Sequence, residues 1–208
     1  MFEPARTALL LMDFQNYGVH PDGYWAQRDP ELFQRIYRGG VIANARRALD
    51  TARSANLRII HVVNRWRSGH IDMHEGMPMW AGRKGADVAV EGTWGAEIVD
   101  ALTPLSGEPL VVKRSVSALA GTELPRLLTL YGVSTLVLAG IATNFVVEGT
   151  AREAADLGYA VVVLADASET LNDEWQRFSL EILATLGSVV SVEEFGQLLA
   201  DSLNKTPK

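Results

Sequence analysis

The sequence predicts a doubly wound α/β fold, a mainly parallel six-stranded sheet with helices on both faces. Two observations carry that reading. Short, uninterrupted runs of Val, Leu, Ile and Ala recur six times, as expected of strands buried on both faces. Between most of them lie longer segments with apolar residues at helical spacing, so strand and helix alternate along the chain.

In chain order, Thr7–Met12 reads as the first buried strand. Val41–Ser54 is helical, with Arg46, Arg47 and Asp50 off its apolar face. Leu57–Val63 is the second strand. Thr93–Leu102 opens on a Thr suited to an N-cap and reads as a short helix. Pro109–Val112 is the third strand, and Thr122–Tyr131 a helix that stops before Gly132. Ser134–Ala139 is the fourth strand, followed by a helix over Val146–Leu157 that Gly158 closes. Ala160–Ala165 is the fifth strand, followed by a helix over Asp173–Leu186 that Gly187 closes. Ser188–Val192 is a short sixth strand and Glu193–Leu203 the final helix. One stretch, Asn64–Gly92, lacks clear periodicity, and long irregular runs in a compact domain are often functional; Asn16–Gly40, carrying Tyr17, Tyr24 and Trp25, is a second candidate lid.

The 208 residues are 48% hydrophobic, enough to bury a sizeable core as one domain spanning residues 1–208. A formal net charge of −6 gives no electrostatic drive toward nucleic acid or an anionic membrane. No apolar run reaches the roughly 18 residues that span a bilayer, and the start lacks the layout of a signal peptide. A cytoplasmic protein is therefore expected. The sequence holds no Cys, which excludes disulfides, thiolate metal sites and thiol catalysis together. No Gly-rich phosphate loop follows the first strand, so the fold is not read as nucleotide-binding and no cofactor is expected.

Open parallel sheets bind ligands at the carboxyl ends of their strands. The polar residues found there are Asp13 and Gln15, Asn64 and Arg65, Lys113 and Arg114, the turn Gly140-Ile-Ala-Thr-Asn144, and Asp166. Taken singly, each fits a cap, a turn or a solvated charge. Together they predict a polar site for a small molecule, with Arg65 and Arg67 as candidate clamps for a substrate carboxylate. His61 lies inside a strand and reads as a satisfied core residue. His70 and His74, with Asp72 and Glu75 nearby, would share one face of a helix. That segment lacks helical periodicity, and no metal site is expected.

Three blocks carry a family resemblance: Leu9-Leu-Leu-Met-Asp13-Phe-Gln15, Val111-Val-Lys113-Arg-Ser-Val-Ser117-Ala, and Ala139-Gly-Ile-Ala-Thr-Asn-Phe-Val146-Val-Glu-Gly-Thr150-Ala-Arg-Glu-Ala. With Glu91-Gly-Thr-Trp-Gly95 and the Asp166-Ala pair, the chain resembles the isochorismatase-like hydrolase superfamily from about Thr7 to Val192. The resemblance implies an Asp–Lys–Cys catalytic group, and Asp13 and Lys113 take the first two places. The third falls on Val146, which has no nucleophilic atom. Thr143 and Thr150 are nearby, but no His in the block serves as their base. The resemblance also implies a non-proline cis peptide at Ile141–Ala142, helix N–H groups after strand four facing the site, and a homo-oligomer, dimer or tetramer.

One branch of the superfamily, the isochorismatases, also lacks the Cys and hydrolyses a vinyl ether. There an Asp protonates the alkene carbon and water captures the oxocarbenium ion. This chain is similar in Asp13, Lys113, an amide at Asn64 and a tryptophan at Trp80, though Trp80 equally suits a loop anchor. The zinc-binding nicotinamidases differ, because the corresponding place here reads Arg65-Trp66-Arg67. The expected catalytic residues are thus Asp13 and Lys113. Substrate contacts are expected from Gln15, Asn64, Arg65, Trp80, Ile141, Ala142 and Thr143. The expected activity is non-covalent acid–base hydrolysis of a small polar molecule. The alternatives are a ligand-binding or assembly protein without turnover, and a decayed amidohydrolase.

Overall fold

The computed structural model describes residues 3–74, 76–84, 86 and 88–205. The strands are β1 (Thr7–Met12), β2 (Arg58–Asn64), β3 (Leu110–Lys113), β4 (Thr135–Ile141), β5 (Ala160–Glu169) and β6 (Ser188–Val190). They form one sheet in the order β3-β2-β1-β4-β5-β6, and every ladder is parallel. The chain steps from β1 outward to β3, then returns to β4 beside β1. That reversal opens a crevice at the carboxyl ends of the central strands.

The helices are α1 (Asn16–Val19), α2 (Tyr24–Arg28), α3 (Pro30–Arg38), α4 (Val41–Ser54), α5 (Pro78–Ala81), α6 (Leu124–Leu130), α7 (Glu148–Asp156), α8 (Asp173–Leu186) and α9 (Val192–Lys205). Strand side chains alternate between two cores because the strand repeat is two residues. Leu9 and Leu11 of β1 join Ala45, Leu49, Phe195 and Leu199 of α4 and α9 on one face. Ala8, Leu10 and Met12 join Leu128, Ala151 and Leu183 of α6, α7 and α8 on the other. Both sheet faces are thus covered, which is why the strands read as continuous apolar runs.

Four expectations are corrected. The helix over Thr93–Leu102 is instead two short 3-10 turns, Trp94–Ala96 and Asp100–Leu102. The backbone between them is drawn out by pairing: Asn16 donates to the Glu97 carbonyl at 2.8 Å and Val99 to that of Phe14 at 3.0 Å. The helix after β4 begins earlier than Val146, as a single π turn over Thr143–Val147 that runs into α7. Strand β5 runs on to Glu169, so Asp166 lies within the strand, and its carboxylate accepts from the Val192 N–H at 2.8 Å rather than facing the crevice. The candidate lid over Asn16–Gly40 folds into α1, α2 and α3. In α3, Pro30 follows an Asp29 cap that accepts from the Leu32 N–H at 3.0 Å.

Candidate active site

The crevice holds a cavity of about 280 Å³. Its floor comes from strand ends. Asp13 directly follows β1, Asn64 closes β2, Lys113 closes β3 and Ile141 closes β4. Pairing of Asn64 with Lys113 across β2 and β3 fixes where Lys113 emerges. Asp13 sits at a left-handed φ of 61°, a region that Asp tolerates better than most residues. Its N–H still bonds the Val62 carbonyl at 2.9 Å, so the strand ladder holds the turn in place.

Lys113 Nζ lies 2.9 Å from Asp13 Oδ2, and both side chains are more than nine-tenths buried. Nζ also donates to the Ser115 carbonyl at 3.1 Å. Asp13 Oδ1 is buried with no hydrogen-bond partner among the described residues. Burial pushes the Asp13 carboxyl above its ordinary value, outweighing the opposing pull of Lys113 and, more weakly, of Arg83. The arrangement is a carboxyl group that takes up a proton more readily than an exposed one, with one oxygen held by an ammonium and the other without a partner among the described residues.

The walls are largely aromatic and come from the irregular segments. Tyr17 and Gly18 of α1, Trp25 of α2, Met79 and Trp80 of α5, Arg83 and Phe145 line them. Trp80 is almost fully buried and meets Trp66 edge-on with ring centres 5.3 Å apart. It therefore both anchors the loop and faces the cavity. Burial pushes the Tyr17 hydroxyl up to about 12, against the pull of Arg83. Val146 lines the same space as Asp13 and is itself 2% exposed, packed beside Gly140 and Met12. It narrows the pocket without closing it. Gly140 is confined too: an added Cβ would lie 2.8 Å from the Met12 carbonyl oxygen.

Of the other expected contacts, Asn64, Ile141 and Ala142 line the cavity, with the Ile141–Ala142 peptide cis. Gln15, Arg65 and Thr143 are absent from its lining. Gln15 is spent inside: its amide donates to the carbonyls of Asn64 and Ala96 at 2.9 and 2.8 Å and accepts from the Asn64 N–H. Arg65 pairs with Glu97 at 3.0 Å. Thr143 is fully buried, and its hydroxyl has no partner among the described residues. Thr150 accepts from the Ala118 N–H at 2.9 Å. His61 contacts Glu108 at 3.0 Å within the core. His70 Nε2 lies 3.1 Å from the Val88 carbonyl, whereas His74 accepts from the Gly76 N–H. Glu75, named beside them, lies outside the described residues. Tyr17 and Trp25, aromatics of the candidate lid over Asn16–Gly40, do reach the wall, whereas the sequence reading missed Arg83. No local signal marks Arg83, because the rings around it come from separate elements.

This is a doubly wound α/β domain with a buried carboxylate–ammonium pair at its strand ends. Residues 7–194 match the Isochorismatase domain, and the chain belongs to that family of hydrolases. It is 33% identical to the "Ureidoacrylate amidohydrolase RutB" of Serratia proteamaculans over 219 residues, covering 99% of this chain and 87% of that one. It is 35% identical to the protein of the same name from Stutzerimonas stutzeri, covering 94% and 84%. Among solved structures, an isochorismatase family protein from Desulfovibrio vulgaris superposes with a TM-score of 0.81 at 30% identity, covering 94% and 98%. A cysteine hydrolase from Pseudomonas syringae shares the fold, with a TM-score of 0.82 at 23% identity over 97% and 95% of the two chains.

Proposed function

We propose that the protein hydrolyses a small polar molecule by acid–base chemistry, with Asp13 as the proton-transfer group, Lys113 as its electrostatic partner and no covalent intermediate. The observation that carries this reading is the buried Asp13–Lys113 pair, in which Asp13 lines the cavity and its second carboxylate oxygen has no hydrogen-bond partner among the described residues. A carboxyl raised by burial is suited to hold a proton and give it up in the reaction. In the vinyl-ether form, Asp13 passes its proton to the alkene carbon. Lys113 stabilises the carboxylate left behind, and water adds to the oxocarbenium carbon and returns a proton to Asp13. The resulting hemiketal collapses to a carbonyl compound as its C–O bond breaks and its hydroxyl proton passes to the departing alcohol. In the C–N form, which the names of the RutB relatives favour, Asp13 takes the proton from water as it attacks the carbonyl and hands it to the leaving nitrogen.

The covalent route finds no support in the wall residues. Apart from Asp13, the one hydroxyl or carboxylate side chain among the described residues that line the cavity is Tyr17, whose hydroxyl is held protonated by burial. The test is turnover of enol ethers, amides and ureides by the purified protein and by Asp13→Asn. A wild-type protein inert to all three, or a variant equally active, sinks the proposal.

The absence of cysteine favours a second reading, a binding protein without turnover. It predicts thermal stabilisation by small ligands with no product. Val146→Cys sharpens the comparison. Its thiol would be the chain's single cysteine, and it gains amidase activity only if the pocket retains the geometry of a thiol hydrolase. A cytoplasmic homo-oligomer completes the proposal. No helix among the described residues is long and apolar enough to cross a membrane, and size-exclusion with light scattering measures the assembly.

A further inference from the structure

We infer that Arg83 is the recognition residue for a carboxylate on a planar substrate, so the site takes small unsaturated or aromatic acids rather than neutral molecules. This rests on the proposed cavity as a ligand site, but not on turnover.

The guanidinium lies 4.6 Å from the centre of the Trp80 ring, 5.6 Å from that of Trp25 and 6.0 Å from that of Tyr17. Aromatic rings at these distances stabilise the cation and fix its orientation. The indoles of Trp80 and Trp25 offer no acceptor to N–H groups in the guanidinium plane, and the Tyr17 hydroxyl, which Arg83 contacts, leaves Nε unserved. Among the described residues, Arg83 Nε is buried with no hydrogen-bond partner, and no carboxylate lies within ion-pair distance of the guanidinium. Leaving a buried charged donor unsatisfied is costly, and a ligand acceptor would relieve it.

Charge balance points the same way. The charged side chains lining the cavity are Asp13, Lys113 and Arg83. Asp13 neutralises Lys113 across 2.9 Å, which leaves Arg83 as the uncompensated cation. Protonating Asp13 only increases the positive excess. The guanidinium fork matches the two oxygens of a carboxylate, and the rings of Trp80, Trp25, Tyr17 and Phe145 suit a flat, conjugated body. Arg65, the cation expected from sequence to take this role, is already paired with Glu97.

The test is binding, read through tryptophan fluorescence or calorimetry on the full chain, with two matched probe pairs: benzoate against benzamide, and crotonate against crotonamide. The wild-type protein is expected to bind each acid at least about tenfold more tightly than its amide, the scale of one charge-assisted hydrogen-bond pair. Arg83→Gln is expected to erase that preference, the acids losing at least about tenfold relative to their amides, and Arg83→Lys to restore part of it. Asp13→Asn is expected to keep the preference. Acids that bind no better than amides to the wild-type protein, including no binding of either, overturn the inference, as does a preference that survives in a folded Arg83→Gln. Loss of turnover in Asp13→Asn with acid preference intact supports both proposals. Unchanged turnover with the preference intact refutes the acid–base reading alone.

Discussion

The floor and the walls of the cavity are built by different means. The floor residues Asp13, Asn64, Lys113 and Ile141 sit at the ends of four neighbouring parallel strands, and backbone ladders set their spacing. The wall residues Tyr17, Trp25, Trp80 and Arg83 sit on short helices and turns, held by ring contacts and a small separate cluster around Trp66 and Met73. A ladder places a side chain to within the tolerance that proton transfer requires. A packed loop of aromatics can yield around a ligand. The floor is therefore suited to chemistry and the walls to selection.

Four measurements break or sharpen this contrast. The largest effect is expected from Asp13→Asn, which keeps the shape of the floor but removes its titrating group. The value of kcat/KM should fall by about 10²–10⁴, the usual contribution of a general acid or base. Lys113→Met comes next. It leaves the Asp13 carboxylate buried without its cation and should cost about 3–5 kcal/mol in urea denaturation. The Asp13→Asn/Lys113→Met double variant should recover part of that loss, whereas additive losses would mean that the pair is not coupled.

Trp25→Ala tests the walls. It should raise KM roughly tenfold with kcat nearly unchanged, as expected when a contact made equally to substrate and transition state is lost. A fall in kcat comparable to that of Asp13→Asn would erase the distinction between floor and walls.

The smallest effect is a pair of opposite pH responses. Burial raises the Asp13 carboxyl, so its contribution to stability is full below its unfolded value of 3.8 and is lost as pH rises through the folded one. Glu108 behaves in reverse. Burial would raise it, but Arg53, the Leu105 N–H and His61 together hold it down to about 2, so its contribution is full above 4.5 and fades toward about 2. Urea titrations across acidic pH should show that Glu108→Gln flattens the acid-side loss. Activity that depends on protonated Asp13 should decline as pH rises through the raised value.

The same contrast marks what the sequence made legible. The floor followed from one rule: buried strands read as apolar runs, and the polar residue directly after each run points to the crevice. Asp13, Asn64 and Lys113 obeyed it. Gln15 did not, because the left-handed turn at Asp13 breaks the two-residue alternation, and the Gln15 amide is used to join β2 to the Trp94–Ala96 turn. Arg65 was misread because its partner Glu97 lies 32 residues away, with no periodic element to relate them. The role of Arg83 depends on rings contributed by α1, α2 and α5, and no local pattern reports such a convergence. The family blocks located the floor for the same reason the strands did, since they lie at strand ends.

The pairing of Asn64 with Lys113 across β2 and β3 has one more consequence. Side chains on a strand change face with every residue, so a slip of one position between these strands would send the ammonium to the opposite side of the sheet. Asp13 would then lose its counter-ion. A misthreaded molecule with β2 and β3 out of step would be compact yet inert, and a functional assay would count only the correctly aligned fraction of a preparation.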